Sequence, residues 1–195
     1  MYKAGLALAM LLAASTGQAQ DRATDPLQGI VRCFGDGDFH AESRSRLPAD
    51  VTARSVATAR GPMQVSLADG YALMMYYGGK EPFANLKIER SVAGKFDLDR
   101  KAIALQMEAL ADGGKVAPQR STQNGIEVVA LDNPASGESG VRSLIDFFDV
   151  RTGTIATAYM LQQSPEAREY ASDAAYKILR DRFVSGLTAC MAQAK

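Results

Sequence analysis

The sequence is short of the residues on which much site chemistry depends. Its 195 residues include one histidine, His40, and two cysteines, Cys33 and Cys190. A lone histidine cannot build a zinc site with histidine partners, and as the sole base for a triad it lacks a recognisable nucleophile. Ser139, in Gly137-Glu-Ser-Gly-Val, misses the glycine placement of a nucleophile elbow. No serine stands three residues before a lysine, so the penicillin-binding signature is missing as well. Gly35-Asp-Gly37 does not extend into a dinucleotide or phosphate loop. Charge of one sign is lacking too: 22 basic residues balance 22 acidic ones, with no basic patch. That balance argues against nucleic acid and removes long-range attraction to anionic membranes. After the N-terminal segment, no run approaches the ~20 apolar residues of a membrane-spanning helix.

What is present begins with that segment. Met1-Tyr2-Lys3, an apolar run from Ala4 to Ala14, and small residues at Gly17 and Ala19 match a secretory signal peptide. No cysteine follows the run to carry a lipid anchor. Cleavage after Ala19 divides the chain into a signal peptide, 1–19, and one α+β domain, 20–195, with about one excess negative charge once Lys3 is gone. The expected location is the periplasm or the exterior of a bacterium. In such a compartment Cys33 and Cys190 are expected to form a disulfide.

The organising stretch is Val141–Gln163, which reads as a hairpin followed by a helix. Val141, Ser143, Ile145 and Phe147 point one way, while Arg142, Leu144, Asp146 and Phe148 point the other. Large apolar groups on both faces predict a central strand covered on both sides. An inward Arg142–Asp146 pair is expected, because inward charges need partners. Asp146 and Asp149 point opposite ways and cannot act as a carboxylate pair. A turn at 149–153 leads to a second arm, in which Thr154, Ala156 and Ala158 make a small face that a helix can approach. Ser164-Pro165-Glu166 carries the signals of a helix start. Tyr176, Leu179, Phe183, Leu187 and Cys190 recur at three and four to form its inward stripe. Asp173, Lys177 and Asp181 occupy its solvated side.

Upstream, residues 20–29 read as loose, 29–34 as a short strand or helix turn around Cys33, and 41–50 as loop. Asp36 and Asp38 alternate with glycine, but the further acids of a calcium loop are absent, so a turn is predicted. His40 reads as a surface or half-buried side chain. Strands are expected at 51–59, 63–67, 71–77, 83–92, 116–121 and 125–131, with Asp69-Gly70 turning the chain between the second and third. A helix capped by Asp97 is expected from Leu98 to Ala111. Met74, Met75, Tyr76 and Tyr77 form the densest aromatic and thioether cluster, a possible ligand or partner surface or else ordinary core. The fold class is α+β: a mainly antiparallel sheet of about six or seven strands, covered by a middle helix and a long C-terminal helix.

In layout, Met63 to Cys190 resembles the PsbP-like α/β/α sandwich: strands, a middle helix, a three-strand run and a long last helix. The resemblance carries no site residue. It implies an exported accessory or assembly factor rather than a catalyst. The resulting expectation is a non-catalytic binding or accessory module of the cell envelope, meeting an envelope protein or a small ligand. Two alternatives remain. One is a carrier of small apolar ligands walled by Met74–Tyr77 and the middle helix. The other is a small hydrolase using carboxylates gathered by the fold. No catalytic, cofactor-binding or metal-binding residue is nominated.

Overall fold

A single long strand sets the frame. In the computed structural model, which describes residues 25–34, 37–47, 52–78, 80–111, 116–134 and 140–194, β3 runs without interruption from Met63 to Tyr77. Asp69-Gly70 therefore does not turn the chain. A shift of register against the next strand between Leu67 and Asp69 absorbs the irregularity instead. Gly70 is required by proximity, since a Cβ there would lie 2.3 Å from the Ile88 carbonyl oxygen. Two strands share one edge of β3: β1 (Phe39–Leu47) pairs along its second half and β2 (Thr52–Val56) along its first. Residues 41–47 are thus strand, not loop. Exposed Glu42, Arg44 and Arg46 give β1 the charged character that protects an edge from further pairing, and that charge disguises it in the sequence.

The sheet continues through β4 (Pro82–Ser91), β8 (Thr154–Leu161), β7 (Val141–Asp149), β6 (Ile126–Asp132) and β5 (Gln119–Gln123), giving eight antiparallel strands. The β7–β8 hairpin is central, as its two apolar faces require, and Gly153 takes a positive φ in its turn. Asn124 and Gly125 both adopt positive φ in the tight β5–β6 turn.

Helices cover both faces. The short α1 (Pro26–Arg32) is capped by Asp25, whose side chain accepts from the Leu27 amide at 3.1 Å, and it buries Leu27, Ile30 and Val31. Residues 26–28 are therefore helical where the polar sequence reads as loose, and 29–32 take the helical of the two forms expected around Cys33. The long α3 (Asp173–Gln193) lies beside α1 and sets Tyr176, Leu179, Phe183 and Leu187 over the small Ala156 and Ala158. Its N-cap is Ser172, not Ser164. The Ser164 carbonyl accepts from the Ala167 and Arg168 amides in a turn, and the Ser164 amide and hydroxyl are both tied to Glu81 at 2.9 Å. The opposite face carries α2 (Phe96–Leu110), which packs Ala102, Ile103 and Met107 on Val65, Leu67, Val129, Leu144 and Phe148. Asp97 does not cap it: Lys95 holds the N-cap position without a side-chain bond. Buried Asp99 instead accepts from the Ser66 amide at 2.8 Å, beside the irregular part of β3.

Cys33 and Cys190 meet as a disulfide pair with Cα atoms 6.0 Å apart, joining the end of α1 to α3. The expected signal segment, residues 1–19, lies outside the described residues. Among those that are described, no helix is long and apolar enough to cross a membrane.

Candidate functional site

Among the described residues, the side of the sheet carrying α2 is only partly roofed. Between the second half of α2 and the middle of the sheet lies a cleft of about 280 Å³. Ile103, Gln106 and Leu110 of α2 form one wall, and Arg54 and Val56 of β2 form the rim beside it. The floor is a row across three strands in register: Asp146 on β7 opposes Thr157 on β8, and Thr157 opposes Lys87 on β4. Two strand spacings put the outer members of that row about 10 Å apart at their Cα atoms. Tyr159 and Leu144 complete the lining, so the cleft is apolar at the walls and polar along the floor.

Asp146 is the chemical centre of the row. It is only 2% exposed, and its Oδ1 accepts from the Thr157 hydroxyl at 2.7 Å. Burial pushes its carboxyl up to about 7, against the pull of the Thr157 hydrogen bond and the Arg54 charge. Arg54 is committed elsewhere: its guanidinium grips both carboxylate oxygens of Glu89, at 3.2 and 3.0 Å. No hydrogen bond from a described residue reaches the second oxygen of Asp146, although the side chain lines the cleft. Lys87 leans over the Tyr159 ring at 5.6 Å, and among the described residues no acid pairs with it. Among the described residues, the cleft thus holds an acid with one donor and a lysine with no acid paired to it, at opposite ends of one row.

The expected Arg142–Asp146 pair does not form. Register between β7 and β8 shifts between Val141 and Ser143, and this carries Arg142 to the α3 side. There its guanidinium lies 3.9 Å from the Tyr176 ring centre and 5.1 Å from that of Tyr170, and it pairs with Asp173. Asp149 does face away from Asp146; Arg151 and Thr152 hold it at the end of the hairpin.

The methionine–tyrosine cluster is split by strand alternation. Met75 is fully buried in the α3-side core, and Tyr77 packs against the same core through Phe39 and Phe83. Met74 and Tyr76 lie half-buried on the opposite side, where the Tyr76 hydroxyl meets the Met74 sulfur at 3.3 Å and His40 stacks on the Tyr76 ring. None of the four lines the cleft. Asp38 pairs with Arg182, and residues 35–36 of the glycine–aspartate segment lie outside the described residues. Among the described residues no three His, Cys, Asp or Glu side chains gather as a metal set.

Arg54, Lys87 and Thr157 have no sequence motif, because strand pairing brings them together, and Gln106 joins them only through the packing of α2 on the sheet. The available signal was Asp146 itself, an acid inside a strand apolar on both faces. No family model, curated protein or solved structure matches the chain, and the cleft is therefore interpreted from its own chemistry.

Proposed function

We propose that the chain is an exported, non-catalytic binding module of a bacterial cell envelope and that the cleft between α2 and the sheet receives a small ligand. The observation that carries this reading is Asp146: a buried carboxyl on the floor of the cleft, with one of its two oxygens given no donor among the described residues. Groups of that kind are costly to keep in a fold and concentrate at functional sites. The N-terminal pattern supports export, and the Cys33–Cys190 pair suits an oxidising compartment. The accessory role implied by the PsbP-like layout of the sequence points the same way.

The apolar-carrier alternative has less support. Met74–Tyr77 do not wall the cleft, and a wholly apolar ligand would cover Asp146 without meeting its polar requirement. Native mass spectrometry of protein isolated from envelope extract tests the binding reading. A small molecule should accompany the wild-type chain and be lost when Leu110→Trp fills the cleft. A chain that carries no ligand, or an Asp146-dependent turnover in a hydrolase screen, would count against it. Export is tested separately by the mature N-terminus, which should begin at Gln20.

A further inference from the structure

Building on the cleft as a binding site, we infer that its ligand is a small zwitterion, an apolar α-amino acid whose ammonium meets Asp146 and whose carboxylate meets Lys87. The floor supplies the two complementary charges in the required order. Among the described residues, Asp146 has Thr157 on one oxygen and no donor on the other, while Lys87 lies two strands away in the same row with no acid paired to it. About 10 Å between the two Cα atoms suits a chain of acid, ammonium, carboxylate and ammonium joined by hydrogen bonds of about 2.8 Å. A free amino acid holds its two charges close enough to be the middle pair. Ile103 and Leu110 then meet its side chain. The volume, about 280 Å³, equals roughly nine waters, room for a ligand the size of leucine.

Other small-ligand chemistries fit less well. A simple cation would satisfy Asp146 and leave Lys87 repelling it. A simple anion would satisfy Lys87 and face Asp146. Arg54 does not change this balance, because Glu89 already neutralises it.

A proton linkage follows. Among the described residues, the charged groups around Asp146 are Arg54 on β2, with its partner Glu89 on β4, and Lys87 on β4. Facing it from α2 are Ile103, Gln106 and Leu110, from β8 Thr157 and Tyr159, and from β6 the paired Val129, none of them a carboxyl, imidazole, ammonium or guanidinium group. Burial pushes the Asp146 carboxyl up to about 7. A bound ammonium favours the carboxylate, so binding expels a proton. Affinity is then complete above that value and falls about tenfold for each pH unit below it.

Isothermal titration of the full oxidised protein with four matched probes tests the inference: L-leucine, 3-methylbutylamine, 4-methylpentanoate and 4-methylpentanamide. At about pH 8 leucine should bind tightest, the amine more weakly, and the other two weakest. Moving to about pH 6 should weaken leucine about tenfold. Asp146→Asn should remove at least tenfold of the leucine and amine affinity together with the pH dependence. Lys87→Gln, a substitution at one end of the floor, should weaken leucine and tighten the amine, which it relieves of a repelling charge. The inference fails if 4-methylpentanoate binds best and tightens on acidification, which would make the cleft an anion site. Equal binding of the amide and leucine, or leucine binding without pH dependence, would also overturn it. So would no binding by any probe, an outcome that leaves the ligand carried from envelope extract to judge the cleft independently.

Discussion

Asp132 and Asp146 sit on neighbouring strands, one on each side of the sheet, and their surroundings are built in opposite ways. Asp132 faces α3. Arg180 reaches both of its oxygens at 2.6 and 2.8 Å, and the Ser143 hydroxyl donates to it at 2.6 Å while accepting from Tyr176 at 2.8 Å. Burial alone would raise the Asp132 carboxyl, but the Ser143 and Arg180 hydrogen bonds, with the charges of Arg180 and Lys177, hold it below the usual aspartate range. Asp146 faces α2, where it is buried more deeply, has one hydroxyl donor, and is pushed up to about 7. The side carrying α1 and α3 spends its polar groups on joining helix to sheet. The side carrying α2 leaves polar groups unspent beside a cleft. Helix-to-sheet joinery is concentrated on one face, and the cleft proposed to bind lies on the other.

The sharpest break in that comparison is expected from the disulfide. Replacing Cys33 and Cys190 with alanine should lower stability by about 5 kcal/mol on the chain-entropy account of so long a loop, measured as a shift in denaturant midpoint. Ligand binding by the molecules that stay folded should be retained, since the bridge touches only α1 and α3. A binding loss equal to the stability loss would show that the two faces are not separable.

Next in size is Asp146→Asn, expected to stabilise. The folded-state value of Asp146 is raised, so its contribution is most favourable in acid and declines as pH rises from about 4 to about 7. Removing the charge should therefore give a gain that grows across that window and levels off above it at about 4 kcal/mol. A pH-independent effect in denaturant unfolding would place Asp146 in a better-solvated setting.

Asp132→Asn should do the reverse, destabilising by about 2 kcal/mol near neutrality through loss of charge-assisted bonds to Arg180 and Ser143. Its lowered value makes the wild-type advantage present above the ordinary aspartate range and lost as pH falls through it, so the two proteins should converge in acid. Divergence in acid would contradict the network. The smallest stability change, within about 0.5 kcal/mol, is expected for Lys87→Gln, since among the described residues no acid pairs with it. A larger change would assign Lys87 to the scaffold.

The fold was legible where periodicity is strong. Val141–Leu161 declares its central place by apolar groups on both faces, and Tyr176–Leu187 by spacing alone. Legibility failed where local chemistry imitates another structure. Charged β1 reads as loop because an edge strand has little core to face, and Asp69-Gly70 reads as a turn although Gly70 answers to the backbone of β4. Ser164-Pro165-Glu166 has every mark of a helix start, yet Glu81, 83 residues upstream, holds Ser164 in a turn. The cleft was harder still. Asp146 was visible as an acid in an apolar strand, but a one-residue irregularity near Arg142 reversed its expected partner. Arg54, Lys87 and Thr157 converge on it only through strand pairing, which leaves no local mark.

One consequence concerns handling of the molecule. Gly29 lies beside Ala194, with the Ala194 Cβ 3.5 Å from where a Gly29 Cβ would stand, and both belong to the layer behind the sheet. Attachment to a bead or sensor chip through a residue near either position therefore anchors the rear layer and presents the cavity under α2 to the passing solution.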